Sequence, residues 1–409
     1  MDGMRISRSL LRSQQFPAVL LLAAAAMGLL LANTAAHAPV AAVLDAHLAV
    51  PGTGLDLSVS HWISDGLLAI FFFVVAIELR YELTRGELDS VHKALHPAIA
   101  AAGGVIVPII VFLWIAGGKD TASGWPVPTA TDIAFALGVL AVFGRGLPSG
   151  VRVFLLALAI LDDIVGIIFI AVLFARDLQW GLFLAGLVGV ALFGLLSRYL
   201  RGRAAVPVGI LLVLLWVVTW GFVAGSGVHA TIAGVLLGLV MPHAPAERVR
   251  HVLDPWVNAL ILPLFALAAA FVVIPALSPT ELSPAFWGIA VALPVGKIIG
   301  ISVFGWLAMR IRPRGTPAAL PFADLVAAGA LGGIGFTVSL LLANLAYTSD
   351  ESIRDQAILG VLVGSLIALA VSGIVVSLRA RHYRRTESRT DNGRVERQAN
   401  EGGAHAPAL

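Results

Sequence analysis

Cysteine is absent from the 409 residues, so no disulfide framework and no thiolate metal site can form, and thiol usage says nothing about the compartment. Charge is scarce too: Asp, Glu, Lys and Arg make up 12% of the chain, too little for a soluble globular surface. Strand-like alternation of apolar and polar residues is missing along the long hydrophobic runs, which argues against a lipid-facing β-barrel. The net charge of +3 is small, and neither a cofactor nor a nucleic-acid partner is expected.

What the chain has instead is hydrocarbon: 59% apolar residues and a mean hydropathy of +0.93, values that belong in a lipid bilayer. A spanning helix takes about 20 largely apolar residues, so this length holds roughly a dozen. The expected fold is therefore all-α integral membrane with twelve transmembrane helices. They fall near 16–36, 60–84, 95–116, 127–144, 150–175, 181–200, 206–222, 226–242, 254–277, 286–309, 322–347 and 355–379. Threading through these spans puts 23 of the 27 Lys and Arg residues in one set of segments, from Arg5, Arg8 and Arg12 through to the arginines of the tail. The opposite loops hold only Lys119, Arg176 and Arg354, which places both termini in the cytoplasm and checks the count independently of hydropathy.

The organisation reads as a cytoplasmic segment over 1–15, a membrane domain over 16–380 and a polar, disordered cytoplasmic tail over 381–409 in contact with lipid. Three arginines, an apolar run and "TAAHA" also resemble a cleaved secretory signal, although the run is long for a signal core. Residues 45–60 carry two short alternating stretches around Pro51, Gly52 and Gly54 and suggest an extracytoplasmic hairpin, or else an irregular loop. An exposed strand edge there could pair with a second copy, giving a homodimer.

Ionisable residues fall where the bilayer should be. Asp132, Asp162, Asp163, His229 and Lys297 lie inside predicted spans, with Glu78 near the end of the second. The three aspartates and the lysine together cost on the order of 10 kcal/mol if all are charged. One lysine cannot neutralise three acids, which points to an ion pathway ahead of a packing ion pair. Asp162 and Asp163, in "LALAILDDIVGIIFI", project about 100° apart, so one can face a cavity while the other meets a neighbouring helix. Two dehydrated carboxylates side by side can hold a proton or a hard cation, and competition between the two, with access from alternate sides, suffices for antiport.

Two spans look broken. Pro126 and Pro128 precede Thr131 and Asp132, and helical periodicity resumes only afterwards. Asp132 then offsets a half-helix N-terminus or caps it, and Thr131 or exposed carbonyls could ligate a cation. The eleventh span places Gly329, Gly332, Gly333 and Gly335 within seven residues, a density that costs about 1 kcal/mol per glycine relative to Ala and suits either unwinding or close packing. The interrupted middle helices of spans three to five and ten to twelve suggest inverted repeats, with Lys297 as counter-charge.

"PTATDIAFALGVL", "LALAILDDIVGI", "SGVHATIAGVLLGL", "DPWVNALILPLFALA" and "GGIGFTVSLLLANLA" resemble the NhaA family of sodium/proton antiporters, over about residues 16 to 380. The resemblance implies that Asp163 is the principal ligand of transported sodium or lithium, with Asp162 paired to Lys297 and active in proton exchange. It implies that Thr131 and Asp132 sit in crossed, unwound segments, Asp132 balancing helix ends. Glu78 and His229 match positions tied to pH response near a cytoplasmic funnel. Electrogenic exchange in the bacterial inner membrane, driving sodium out, is the expected activity. Some positions depart from the pattern: Arg250 stands where relatives carry a glutamate, Glu247 where they carry a base, Tyr81 where a base is usual, and "FALAAAFVV" replaces "FANAGV". These changes bear on the pH set-point more than on the exchange chemistry. Rival readings are an intramembrane protease using Ser226 and His229, a cation channel, and a sodium-coupled symporter. The first lacks a Gly-x-Ser-Gly motif and spaces its pair poorly. Opposed charges favour proton competition over the other two.

Overall fold

Away from water a chain must satisfy its own N–H and C=O groups, and apolar runs without alternation do so as helices. The computed structural model describes residues 15–50, 55–86, 88–118, 120–200, 205–310 and 320–403. Residues 1–14, Lys119, Arg201, Arg203, Arg312, Arg314 and residues 51–54, with Pro51, Gly52 and Gly54, therefore lie outside the described residues.

The helices are α1 (Gln15–Ala32), α2 (His37–Leu44), α3 (Val59–Arg85), α4 (Val91–Ala116), α5 (Ile133–Phe143), α6 (Ser149–Leu173) and α7 (Trp180–Tyr199). They continue with α8 (Ala205–Gly225), α9 (Thr231–Val240), α10 (His243–Ala269), α11 (Pro284–Arg310), α12 (Phe322–Gly332), α13 (Phe336–Ala346) and α14 (Glu351–Gly403). Among the described residues, eight helices are long and apolar enough to cross a membrane, and up to eleven spans result if each of three bent pairs counts as one. The protein is thus an all-α, multi-pass membrane protein. α9, with ten residues, is too short by this measure, and the twelve-span count rests on it.

The hairpin forms: β1 (His47–Val50) and β2 (Leu55–Ser58) pair antiparallel, with His47 opposite Ser58 and Leu48 opposite Leu57.

Three expectations need correction. The ninth span ends at Ala269 rather than 277, and the chain beyond it is irregular. There the Asn33 side chain donates to Val272 O at 2.9 Å and accepts from Ile274 N at 2.8 Å, replacing helical partners in a stretch that Pro275 already prevents from continuing. His229 lies in a turn ahead of α9 rather than inside a spanning helix. The tail from 381 continues α14 as helix to Gly403, with no proline to stop it; residues 404–409 lie outside the described residues.

π-type turns interrupt three long helices, at Trp62–Leu67, Val257–Ile261 and Ala292–Gly296. Each carries or adjoins a polar residue of interest, in keeping with the frequency of such turns at functional positions.

Candidate functional site

The site begins with two glycines. α4 and α11 cross so closely at Gly103 and Gly300 that a Cβ on the first would lie 2.4 Å from Gly300 O, and one on the second 2.1 Å from Gly103 O. This contact, with the turn at Ala292–Gly296, holds Lys297 in the protein interior with no solvent exposure. Gly329 of α12 packs on the same stretch: a Cβ there would lie 2.9 Å from Ile298 Cα. The glycine cluster of the eleventh span therefore serves close packing at Gly329, while the helix itself stops at Gly332 and restarts at Phe336.

The two breaks face each other. The 3-10 turn Val127–Thr129 ends before α5 at a bend of 42°, and α12 and α13 bend by 52°. Asp132 N donates to Ile334 O at 2.7 Å, and the Thr131 hydroxyl lies 2.8 Å from both Gly332 O and Asp162 Oδ2, either of which can take its single proton. Asp132 caps α5 by accepting from Phe135 N at 3.0 Å, and its second oxygen accepts from Thr337 Oγ1 at 2.7 Å and Thr337 N at 3.3 Å. One carboxylate thus serves the positive ends of two half-helices, α5 and α13.

Asp162 and Lys297 form a buried ion pair: Nζ is 2.6 Å from Oδ2, and both side chains are 0% exposed. Nζ also donates to Thr131 Oγ1 at 3.1 Å. The other oxygen, Asp162 Oδ1, is buried and has no hydrogen-bond partner among the described residues. Such an acceptor is costly to leave empty and is a ready ligand for a proton or a cation.

Asp163 points elsewhere, as adjacent helix positions must. It lines a cavity of about 310 Å³ together with Thr131, Asp132 and Thr337. No hydrogen bond or ion pair among the described residues restrains its carboxylate. The same cavity reaches Glu78, Arg250, Asp254 and Asn258. Arg250 bridges two acids there, 3.5 Å from Glu78 Oε1 and 3.9 Å from Asp254 Oδ2, in a part-exposed setting where each pair is worth at most about 1 kcal/mol. Glu247 lines an adjoining cavity of about 120 Å³ with Arg80, Tyr81 and His243, and Arg250 borders both.

The expected gathering of Thr131, Asp132, Asp162, Asp163 and Lys297 is therefore present, with Glu78 and Arg250 at the far end of the cavity. His229 is not there. Its Nε2 is 3.6 Å from Asp65 Oδ1, and its Nδ1 meets Thr231 Oγ1 at 2.8 Å. Asp65 and Glu78 lie on α3 thirteen residues apart, about 20 Å at 1.5 Å per residue, so His229 sits toward the opposite end of that helix from Glu78. The Ser226 hydroxyl donates to Val223 O at 2.7 Å, so the serine–histidine dyad of the protease reading does not form.

Thr337, Asp254, Asn258 and Asp65 were not singled out from the sequence. Asp254 had a usable signal, its placement four residues after Arg250 on one helix face. Thr337 had none, because its partner is 205 residues away.

Residues 8–376 match the sequence model of the family described as Na+/H+ antiporter 1. The Na(+)/H(+) antiporter NhaA 2 of Clavibacter michiganensis is 51% identical over 388 residues, covering 94% of this chain and 95% of its own. The Na(+)/H(+) antiporter NhaA of Tropheryma whipplei is 42% identical over 95% of this chain and 99% of its own, and that of Yersinia pseudotuberculosis 40% identical over 90% and 94%. A match over nearly the whole chain, on top of a site whose acids, threonine and lysine converge, makes this protein a member of the Na+/H+ antiporter 1 family.

Proposed function

We propose that this chain exchanges sodium for protons across the bacterial inner membrane, with Asp163 as the principal cation ligand. The observation that carries the reading is the cavity in which Asp163, Asp132 and Thr131 meet at two facing helix breaks, beside a buried Asp162–Lys297 pair. A small hard cation prefers oxygen ligands, and this cavity offers carboxylates, hydroxyls and the carbonyls left over where helices stop. Sodium or lithium entering beside Asp163 competes with protons for the same oxygens, and the unpartnered Asp162 Oδ1 offers a second place for one of them.

Asp132 neutralises the facing half-helix ends, so that a cation does not meet their positive dipoles. Lys297 balances Asp162, and release of that pair when Asp162 takes a proton couples the two ions. Glu78 and Arg250 at the cavity mouth, Glu247 in the adjoining cavity and His229 toward the opposite end of α3 are the groups we assign to pH response. Twelve spans in inverted repeats with both termini cytoplasmic, electrogenic exchange and a homodimer joined along the β1–β2 edge complete the proposal.

The test is a pH-resolved exchange assay in proteoliposomes carrying an imposed proton gradient. Sodium should dissipate the gradient with no organic solute present, and Asp163→Asn should abolish the response while leaving folded protein in the bilayer. Wild-type turnover by that variant would reject Asp163 as the ligand, and a gradient untouched by sodium would reject antiport.

A further inference from the structure

A second, unassigned cavity system lies on the outside of α14, between that helix and α1 and α5. Two cavities of about 620 Å³ and 210 Å³ share Leu22, Phe135 and Leu369 as walls, and so adjoin along α14, together marking out a groove. Along α14 the lining runs from Leu362 to Arg381 at spacings of three and four residues, a single helix face about 28 Å long at 1.5 Å per residue. That length matches the hydrocarbon thickness of a bilayer, about 30 Å.

The groove is apolar except at particular points. Ser365 accepts from Phe336 N at 3.1 Å and is already used. Ser377 and Arg381 mark one end. Arg384 and Arg385 follow Arg381 within a turn, both exposed. The loop after α5 brings Gly146, the neighbour of exposed Arg145, against the stem of Arg384, 2.9 Å from its Cγ to the position of a Cβ. A basic rim at one end of a helix-long apolar trough is complementary to an amphiphile with a negative head and a long hydrocarbon tail. Free phosphate would leave the trough unused, and a neutral lipid would offer Arg381 no counter-charge.

We propose that this groove binds one anionic phospholipid of the membrane, with its headgroup on Arg381 and an acyl chain laid along α14. A chain reaching past Leu369 meets Ile334, within the break between α12 and α13, and Phe336, where α13 starts. The lipid tail would then lie behind the crossing that holds Thr131 and Asp132.

The test is native mass spectrometry of the delipidated full-length protein offered equal amounts of phosphatidylglycerol and phosphatidylcholine with identical chains. One phosphatidylglycerol should be retained in preference. Arg381→Gln should lower that preference by about fivefold, the effect of roughly 1 kcal/mol per interfacial arginine. Arg198→Gln, the same charge change at an exposed position on α7 outside the groove, should leave it unchanged. Gly373→Leu should reduce retention of both lipids by filling the groove floor, where a Cβ meets only the Phe143 ring at an ordinary 3.6 Å. Equal retention of the two lipids, equal losses in the two arginine variants, or undiminished retention in Gly373→Leu would each overturn the site.

Discussion

Removing Lys297 should destabilise this protein more than removing Lys297 and the charge of Asp162 together. The pair is fully buried, with Nζ 2.6 Å from Oδ2, and with the lysine gone the carboxylate keeps only the Thr131 hydroxyl at 2.8 Å. Its Oδ1 already lacks a partner, so nothing nearby can take over. Stranding one member of a buried ion pair costs about 3–5 kcal/mol, whereas exchanging both members for neutral groups of similar volume is often close to neutral. Lys297→Met and Asp162→Asn should each cost about that much, and the double variant much less than their sum, because the Asn amide can still accept from Thr131. Thermal unfolding in detergent, followed by the fluorescence of the nine tryptophans, reads all four proteins on one scale. If the single costs simply added in the double variant, the two side chains would be energetically independent and the pair would not be the organising contact that its geometry suggests.

Other outcomes follow from the same contacts. Thr337→Val withdraws the 2.7 Å hydroxyl donor from buried Asp132 and should lower stability by about 1–3 kcal/mol in the same melt, while Thr337→Ser should restore most of it. Gly103→Ala drives a Cβ into Gly300 O and should cost about 1–3 kcal/mol and depress sodium-driven exchange by displacing Lys297. Gly221→Ala, whose new Cβ meets nothing within 4 Å, should instead be neutral or stabilise by up to about 1 kcal/mol. Arg250→Gln removes the arginine that bridges Glu78 and Asp254 at the cavity mouth, and the apparent KM for sodium in proteoliposomes should fall; a rise would show that Arg250 is not opposing cation entry.

Much of this is legible in the sequence, because it is local. The cost of bringing backbone polar groups out of water turns each long apolar run into a helix, and the breaks are marked by Pro126 and Pro128 in one case and by four glycines in the other. Asp132 as a cap follows from its place at the start of α5, and the divergence of Asp162 from Asp163 follows from helical geometry alone. Alternation around Pro51 and two glycines offered a hairpin and an irregular loop alike, and the pairing of β1 with β2 is the hairpin. Local signals misled where tertiary contacts take over. Apolar residues up to 277 read as helix, yet Asn33 holds 272–274 out of the helix from 239 residues away. His229 read as part of a spanning helix, and its contact with Asp65 sets it toward the far end of α3 from the cavity mouth.

The sequence by itself determined that the chain dissolves in lipid, that two of its spans are broken, near Pro126 and Pro128 and at the glycines from 329 to 335, and which charges cannot be afforded there without a purpose. Only the tertiary structure decided which of those charges meet. Asp162 finds Lys297 135 residues on, held on α11 where glycines let that helix cross close to α4; Thr131 reaches Gly332 O 201 residues on; and Asp132 serves two half-helices at once because the two breaks face each other. Hydropathy is a property of each segment, whereas the partner of a buried charge depends on the angle and depth at which two distant segments cross.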